Sequence, residues 1–316
     1  MPLLGDVPIY VVDCETTGLD PATDRLVEIA ALGVEWWPLQ QRIVPTGSLF
    51  STLCDPARPI PADVSAVHHL TMRDIDAAMA PRFEVALQKI DAFLPANALI
   101  VAHNAEFDRS FITSLADRPW LCTKRLAMHI FPNAPNHRNQ TLRYWLDLKV
   151  DLGGMVPHRA LADCMVTARI LGALLEQYTA VHGDDVDELI AFAEAPVMMQ
   201  RMPFGKHAGA SFDAIPTDYL EWLIGERGPA DLSRDLRATV LAQLEPASDD
   251  APCARCDNPA DDALHDHSYC SDPEHEPNTL CHPYQPAQPV MRYASGEVPM
   301  AGDAEIDRLT RAGELP

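Results

Sequence analysis

Asp13 and Glu15 lie two residues apart in YVVDCET, at the end of a short apolar run. If that run is a strand, its period of two puts both carboxylates on one face. Asp108 closes the segment HNAEFD (103–108), and Asp163 lies in HRALADC (158–164). Four carboxylates drawn into one site repel one another unless cations neutralise them. All-oxygen ligands suit magnesium or manganese. Two such ions about 4 Å apart can run an in-line displacement at phosphorus, one activating the attacking water and the other stabilising the leaving oxygen. A general base must reach that water and titrate near neutrality, which histidine does by its ordinary pKa. His158, five residues before Asp163, is the candidate. Each residue alone carries little weight. Asp-x-Glu pairs recur by chance, and His68, His69, His129 and His137 show that histidine is not scarce here.

The elements that must carry these groups can be read from apolar periodicity. Residues 8–13 (PIYVVD) read as a buried strand and 26–37 (LVEIAALGVEWW) as a second, with a helix as the other reading. A third strand falls within 43–53, and 98–103 (ALIVAH) is another buried strand. Helical spacing marks 83–94, about 106–116, 141–148 and 160–180. Strands followed by helices predict an α/β layered domain over 1–180. The acids then fall at strand ends, loops and a helix start, where such folds place their sites.

Jointly, VVDCETTGLD (11–20), HNAEFD (103–108) and HRALADC (158–164) resemble the three motifs of the DEDDh family of 3′→5′ exonucleases, in order and spacing. AVHHLT (66–71) is similar to the short histidine-containing segment that family carries between its first two motifs. The resemblance covers about residues 7–180, and the His-x4-Asp spacing marks the histidine branch. It implies a ribonuclease H-like fold, with a central mixed sheet flanked by helices. It implies that Asp13, Glu15 and Asp163 hold one metal and that Asp13 and Asp108 contact the other. Thr16, Thr17, Gly18 and Leu19 would border the terminal nucleotide, with His103 and Asn104 beside it. Cys14 stands where many members have threonine or another residue; strand alternation points it away from the metals.

WLCTKRLA (120–127) and MPFGKHAGASFDAIPTDYLEWLI (202–224) resemble the exonuclease X subgroup, the second as a small module after the nuclease domain. Residues 181–245 are assigned to that module and 246–316 to an acidic, Pro-rich tail, expected to be irregular. Gly205 and Gly209 flank Lys206 and His207 in a tight turn. Tyr219, Leu220, Trp222 and Leu223 form one helical face, with Trp222 expected in the module's core. Lys206 reads either as a phosphate contact or as a structural residue. In the tail, Cys253, Cys256, Cys270 and Cys281 suit one tetrahedral structural zinc by residue type. The wide second spacing departs from the usual knuckle, so unrelated thiols remain the other reading.

The formal net charge of -22 argues against a nucleic-acid binder if taken alone. It is unevenly spread, at -5 over 1–180, -7 over 181–245 and -10 over 246–316. Residues 118–159 carry seven basic side chains against two acidic ones. These are Arg118, Lys124, Arg125, Arg138, Arg143, Lys149 and Arg159; by charge alone they read as a solvated face. No 18-residue apolar stretch occurs, and the first residues lack the pattern of a signal peptide, so a cytoplasmic location is expected. The function expected is removal of nucleoside monophosphates from a nucleic-acid 3′ end with two Mg2+ or Mn2+. DNA is favoured over RNA, with a role in DNA repair or nucleic-acid turnover. An RNA-trimming exonuclease and an inactive nucleic-acid-binding scaffold are the alternatives. Oligomeric state is not legible.

Overall fold

The computed structural model describes residues 2–245, in two compact units that divide after Ala195. The tail cysteines Cys253, Cys256, Cys270 and Cys281 lie outside the described residues.

In the first unit the strands are β1 (Ile9–Thr16), β2 (Leu26–Trp37), β3 (Arg42–Leu53), β4 (Leu99–Ala102) and β5 (Trp120–Cys122). The helices are α1 (Ala62–His68), α2 (Met72–Ala77), α3 (Phe83–Phe93), α4 (Ala105–Phe111), α5 (Thr123–Ile130), α6 (Asn139–Trp145), α7 (Ala160–His182) and α8 (Val186–Glu194). The sheet order is β3-β2-β1-β4-β5. β1, β2 and β3 pair antiparallel, whereas β4 is parallel to both β1 and β5. This is the mixed α/β sheet of the ribonuclease H-like class.

β2 is a strand and not a helix: it pairs antiparallel with β1 on one side and β3 on the other, and its first nine residues are buried without a break. Such an unbroken run suits a strand covered on both faces. One face of the sheet, with Tyr10, Val12 and Cys14 of β1, packs against Ala86 and Ile90 of α3 and Ala105 and Phe111 of α4. α7 packs on β1, β2 and β3. Its residues 160–168 are all buried. That all-round burial suits the segment ALADCMVTA, small and apolar apart from Asp163 and Thr167. The helix ends at Gly183, whose positive φ of 85° is easy for glycine.

The helix expected over 106–116 stops early. Ile112 turns to φ -87°, ψ 60°, and a single 3-10 turn follows over Thr113–Leu115. Cys14, Cys54, Cys122 and Cys164 are free thiols, Cys122 being half-buried and the others buried. Among the described residues no helix is long and apolar enough to cross a membrane.

The second unit, described over 196–245, holds α9 (Thr217–Ile224) and α10 (Arg234–Leu244). Met202, Phe212, Ile215, Leu220, Leu223, Leu236 and Val240 form its core. Trp222 is not in that core. It is 44% exposed and leans on Tyr219 at a ring distance of 5.4 Å. An eight-residue helix at the surface of a small core buries a narrow stripe, and Leu220 and Leu223 occupy it. Gly205 and Gly209 have positive φ, 75° and 82°, as the glycine turn requires.

Candidate active site

β1 outruns its parallel neighbour. β4 pairs only with Ile9–Val11, while β1 continues to Thr16. Beyond Val11 that edge of β1 has no strand partner, and the Asp108 carboxylate accepts the Cys14 backbone N–H at 3.1 Å. Asp108 lies on the first turn of α4, which the left-handed Asn104 (φ 78°) opens. Cys14 belongs to the core on the α3 and α4 side, as alternation predicts.

Asp13 and Glu15 occupy the other strand face. There Asp163, on the first turn of α7, meets them, and the three carboxylates bring oxygens within 4.8 Å of one another. Among the described residues this is the one trio of acids, cysteines or histidines placed to share a metal ion. Asp108 stays outside the trio but acts on Asp13 electrostatically.

The acids are strained by charge. Burial, then repulsion from Asp108, Glu15, Asp163 and Glu28, raises the Asp13 pKa well above the carboxylate range. Glu15 is pushed up to about 9 by burial and then by Asp163 and Glu28. Asp108 is pushed up to about 7, chiefly by burial, against the lowering effect of its Cys14 bonds. Burial also raises Asp163, opposed by His158 and Gln140. A set of this kind either keeps protons near neutrality or takes up cations. Its donors are all carboxylate oxygens, which fit hard divalent cations such as magnesium or manganese.

His158 stands at the rim. Its backbone is left-handed (φ 62°). Its N–H donates to Asp163 Oδ2 at 3.3 Å. Its ring Nδ1 lies 4.0 Å from the same oxygen, and the side chain is 56% exposed. The ring therefore reaches both the carboxylate group and solvent.

The loop after β1 is built by its own side chains. Thr16 Oγ1 donates to the Gly18 carbonyl (2.6 Å), and Thr17 Oγ1 donates to Asp24 Oδ1 (3.0 Å). A Cβ on Gly18 would lie 2.4–2.8 Å from the Asp24 carboxylate, so a side chain there would displace that carboxylate from its bonds to Thr17 and the Asp20 N–H. The hydroxyls of Thr16 and Thr17 are thus committed within the loop, while Leu19 stands 83% exposed. Both ring nitrogens of His103 are also committed, to Thr123 Oγ1 and the His137 carbonyl, each at 2.9 Å. Burial lowers its pKa to about 4, so it is neutral at physiological pH. Asn104 is exposed and accepts from Lys124 Nζ at 3.2 Å.

Sequence reasoning missed two residues. Gln140 donates to Asp163 Oδ1 at 3.1 Å, bringing α6 to the carboxylate trio. Glu28 sits opposite Glu15 in the β1–β2 register, is 3% exposed, and takes Arg159 with both oxygens. The signal for Glu28 was present in the sequence: a lone acid within a continuous apolar strand must find a partner when buried.

The basic run of 118–159 is mostly spoken for. Arg118 holds Asp91, Lys149 holds Asp147, and Arg159 holds Glu28. Arg125 donates to the carbonyls of Ala193 and Ala195. Arg143 donates to Gln140 and to the Val150 carbonyl.

Comparison with known proteins adds to this geometry. The sequence pattern of a family described as "Exonuclease" matches residues 10–171. A second family, described as "Putative quorum-sensing-regulated virulence factor", matches residues 195–240. Exodeoxyribonuclease 10 of Escherichia coli strain K12 is 30% identical over 241 residues, covering 75% of this chain and 99% of that one. DNA polymerase III subunit epsilon of Treponema pallidum is 30% identical over 192 residues, 57% of this chain and 82% of that one. A solved structure, exonuclease X in complex with 5′ overhanging duplex DNA, is 28% identical with a TM-score of 0.46, covering 58% of this chain and 99% of that one.

Proposed function

The chain belongs to the exonuclease family, in its DEDDh branch close to exonuclease X, and on that premise we propose that it hydrolyses DNA from the 3′ end to nucleoside monophosphates. The observation that carries this reading is the meeting of Asp13, Glu15 and Asp163 within 4.8 Å, on two elements far apart in sequence. DNA as substrate is supported by the Escherichia coli relative, an exodeoxyribonuclease 30% identical over nearly its whole length.

Asp13, Glu15 and Asp163 would hold one divalent cation, and Asp13 and Asp108 would contact a second. Bound there, magnesium or manganese would supply activation of the attacking water and stabilisation of the leaving 3′ oxygen. The chain's own groups handle the proton and the substrate. His158 accepts the proton of the water that attacks phosphorus, and its position at the solvent-facing rim suits that transfer. The new P–O bond forms as the bond to the 3′ oxygen breaks. Gly18 and Leu19 border the terminal nucleotide through backbone and apolar side chain, with the framework of Thr16 and Thr17 behind them. His103, neutral and fixed, offers a ring face beside Asn104. The exonuclease domain expected over 1–180 would extend through α8 to Ala195, the small module expected over 181–245 would begin at Pro196, and 246–316 would be the tail. The reading includes a cytoplasmic role in DNA repair or turnover.

The test is cleavage of matched DNA and RNA oligonucleotides, single- and double-stranded, labelled at either end, with Mg2+, Mn2+ or EDTA. Stepwise shortening of 5′-labelled DNA that stops in EDTA is expected. Preference for RNA would replace the substrate. Internal cuts, or activity in EDTA, would overturn the reading.

A further inference from the structure

Glu28 and Arg159 are 131 positions apart, and their side chains meet in a two-point pair, Nε to Oε2 at 3.0 Å and NH2 to Oε1 at 2.7 Å. Glu28 Oε2 also accepts the Ala160 backbone N–H at 3.0 Å. One buried carboxylate of β2 therefore grips the side chain of one residue and the backbone of the next, at the point where α7 begins. That point directly follows His158, whose left-handed φ of 62° is unfavourable for a non-glycine residue. Such a conformation persists only where its surroundings over-determine it. His158 itself is anchored weakly: its ring is largely exposed and its N–H reaches Asp163 at 3.3 Å. Asp163 differs. It lies inside α7, which is buried continuously from 160 to 168, so its place is set by helix packing.

We propose that Glu28 and Arg159 are positioning residues that hold His158 in its reactive backbone conformation. The proposal rests on His158 acting as the base in the hydrolysis proposed above. The fork geometry matters, because a guanidinium binding two carboxylate oxygens fixes direction as well as distance. Lysine would supply the charge at a single point and let the chain swing. Glutamine at position 28 would keep an acceptor for the Ala160 N–H and lose the charge that orders Arg159.

The test uses the full chain, with kcat and KM measured on a 5′-labelled DNA strand at saturating Mg2+. Glu28→Gln and Arg159→Lys are each combined with His158→Ala in a double-mutant cycle. In the parent background each single change is expected to lower kcat by about 10-fold or more, with KM shifting by less than about threefold. On top of His158→Ala the same changes should cost less than about twofold, because the group they position is gone. Equal losses in both backgrounds would overturn the proposal, since the pair would then act on the fold or the carboxylates. Unchanged kcat in folded Glu28→Gln and Arg159→Lys proteins would also overturn it. Should Glu28→Gln unfold, Arg159→Lys carries the cycle alone, because that side chain is one-third exposed. Failure of the underlying reading looks different. It would appear as a folded Asp13→Ala protein that still hydrolyses DNA, or as His158→Ala with full turnover.

Discussion

The carboxylate of Asp108 caps the Cys14 N–H, so the second acidic segment is fastened to the backbone between the two acids of the first. The contact exists because β4 ends its pairing at Val11 and leaves the β1 edge open. Asp108 thus has a structural and an electrostatic role, and substitution can separate them. Asp108→Asn keeps an acceptor for the N–H and removes the charge. It should fold as well as the parent and lose ~100-fold or more in hydrolysis, as loss of an electrostatic stabiliser does. Asp108→Ala leaves a buried donor without a partner and should cost a further ~1–3 kcal/mol of stability. Denaturant melts of both variants beside their turnover check this. Equal stabilities would remove the structural role, and near-parent activity of Asp108→Asn would remove the electrostatic one.

Asp13 is crowded by four other acids, and its substitution tests the metal assignment most directly. Asp13→Ala should lower hydrolysis by orders of magnitude while folding is kept or improved, since a carboxyl crowded by other acids is removed. Circular dichroism beside a cleavage assay decides. A folded Asp13→Ala protein with near-normal turnover would sink the two-metal reading.

The raised carboxyls make stability depend on pH in an unusual direction. Asp108 titrates at about 7 and Glu15 at about 9 in the folded protein, against ordinary values of 3.8 and 4.5. Between those limits the folded state keeps protons that the unfolded chain has released. Linkage then lowers stability as pH rises through that window. Below about pH 6.5 the buried His103, whose pKa is lowered to about 4, opposes this trend, so in EDTA the melting temperature should fall chiefly between about pH 6.5 and pH 9. Saturating Mg2+ or Mn2+ should raise it most at the alkaline end, where the ligands are charged. Calorimetric melts across that range, with and without ion, test this. A melting temperature that rises with pH across that range in EDTA would contradict it.

His158 predicts a kinetic signature. If His158 is the base, His158→Ala should lower kcat by ~100-fold or more with little change in KM. Higher pH should restore part of the rate by supplying hydroxide. A pH–rate profile measures both, and a profile with parent turnover would hand the proton to another group.

Much of this site was legible because its residue types are costly anywhere else. Asp13 and Glu15 end a run of Ile, Tyr and Val, so strand and face followed from alternation. Asp163 at a helix start followed from the apolar stripe behind it. The three-residue β5 is too short to show a period, and α1 and α2, of seven and six residues, are each under two turns of helix, so pattern gave no hold on them. The basic residues of 118–159 could be counted but their partners could not. Asp91, Glu28 and the carbonyls of Ala193 and Ala195 meet them only after folding. Glu28 was visible as an acid among apolar neighbours, yet its use depends on Arg159, 131 residues on.

The segment 246–316 carries a net charge of -10, with four basic and fourteen acidic residues. Every residue of the candidate site lies before it. Deleting 247–316 should therefore leave magnesium-dependent hydrolysis intact. Removing like charge from a protein that binds a polyanion should also tighten DNA binding at low salt, an effect that fades as salt screens it. The four cysteines give the deletion a second consequence. If they hold one zinc, the full chain should contain about one zinc per molecule, lost in a Cys253→Ser/Cys256→Ser double variant, because a tetrahedral site needs all four ligands. Metal-linked folding would then make the deletion or the double variant lower the melting temperature. Elemental analysis and melts of the three proteins separate the cases. Absence of zinc with an unchanged melt would leave charge as the segment's one measurable effect, and loss of hydrolysis on deletion would tie it to the site.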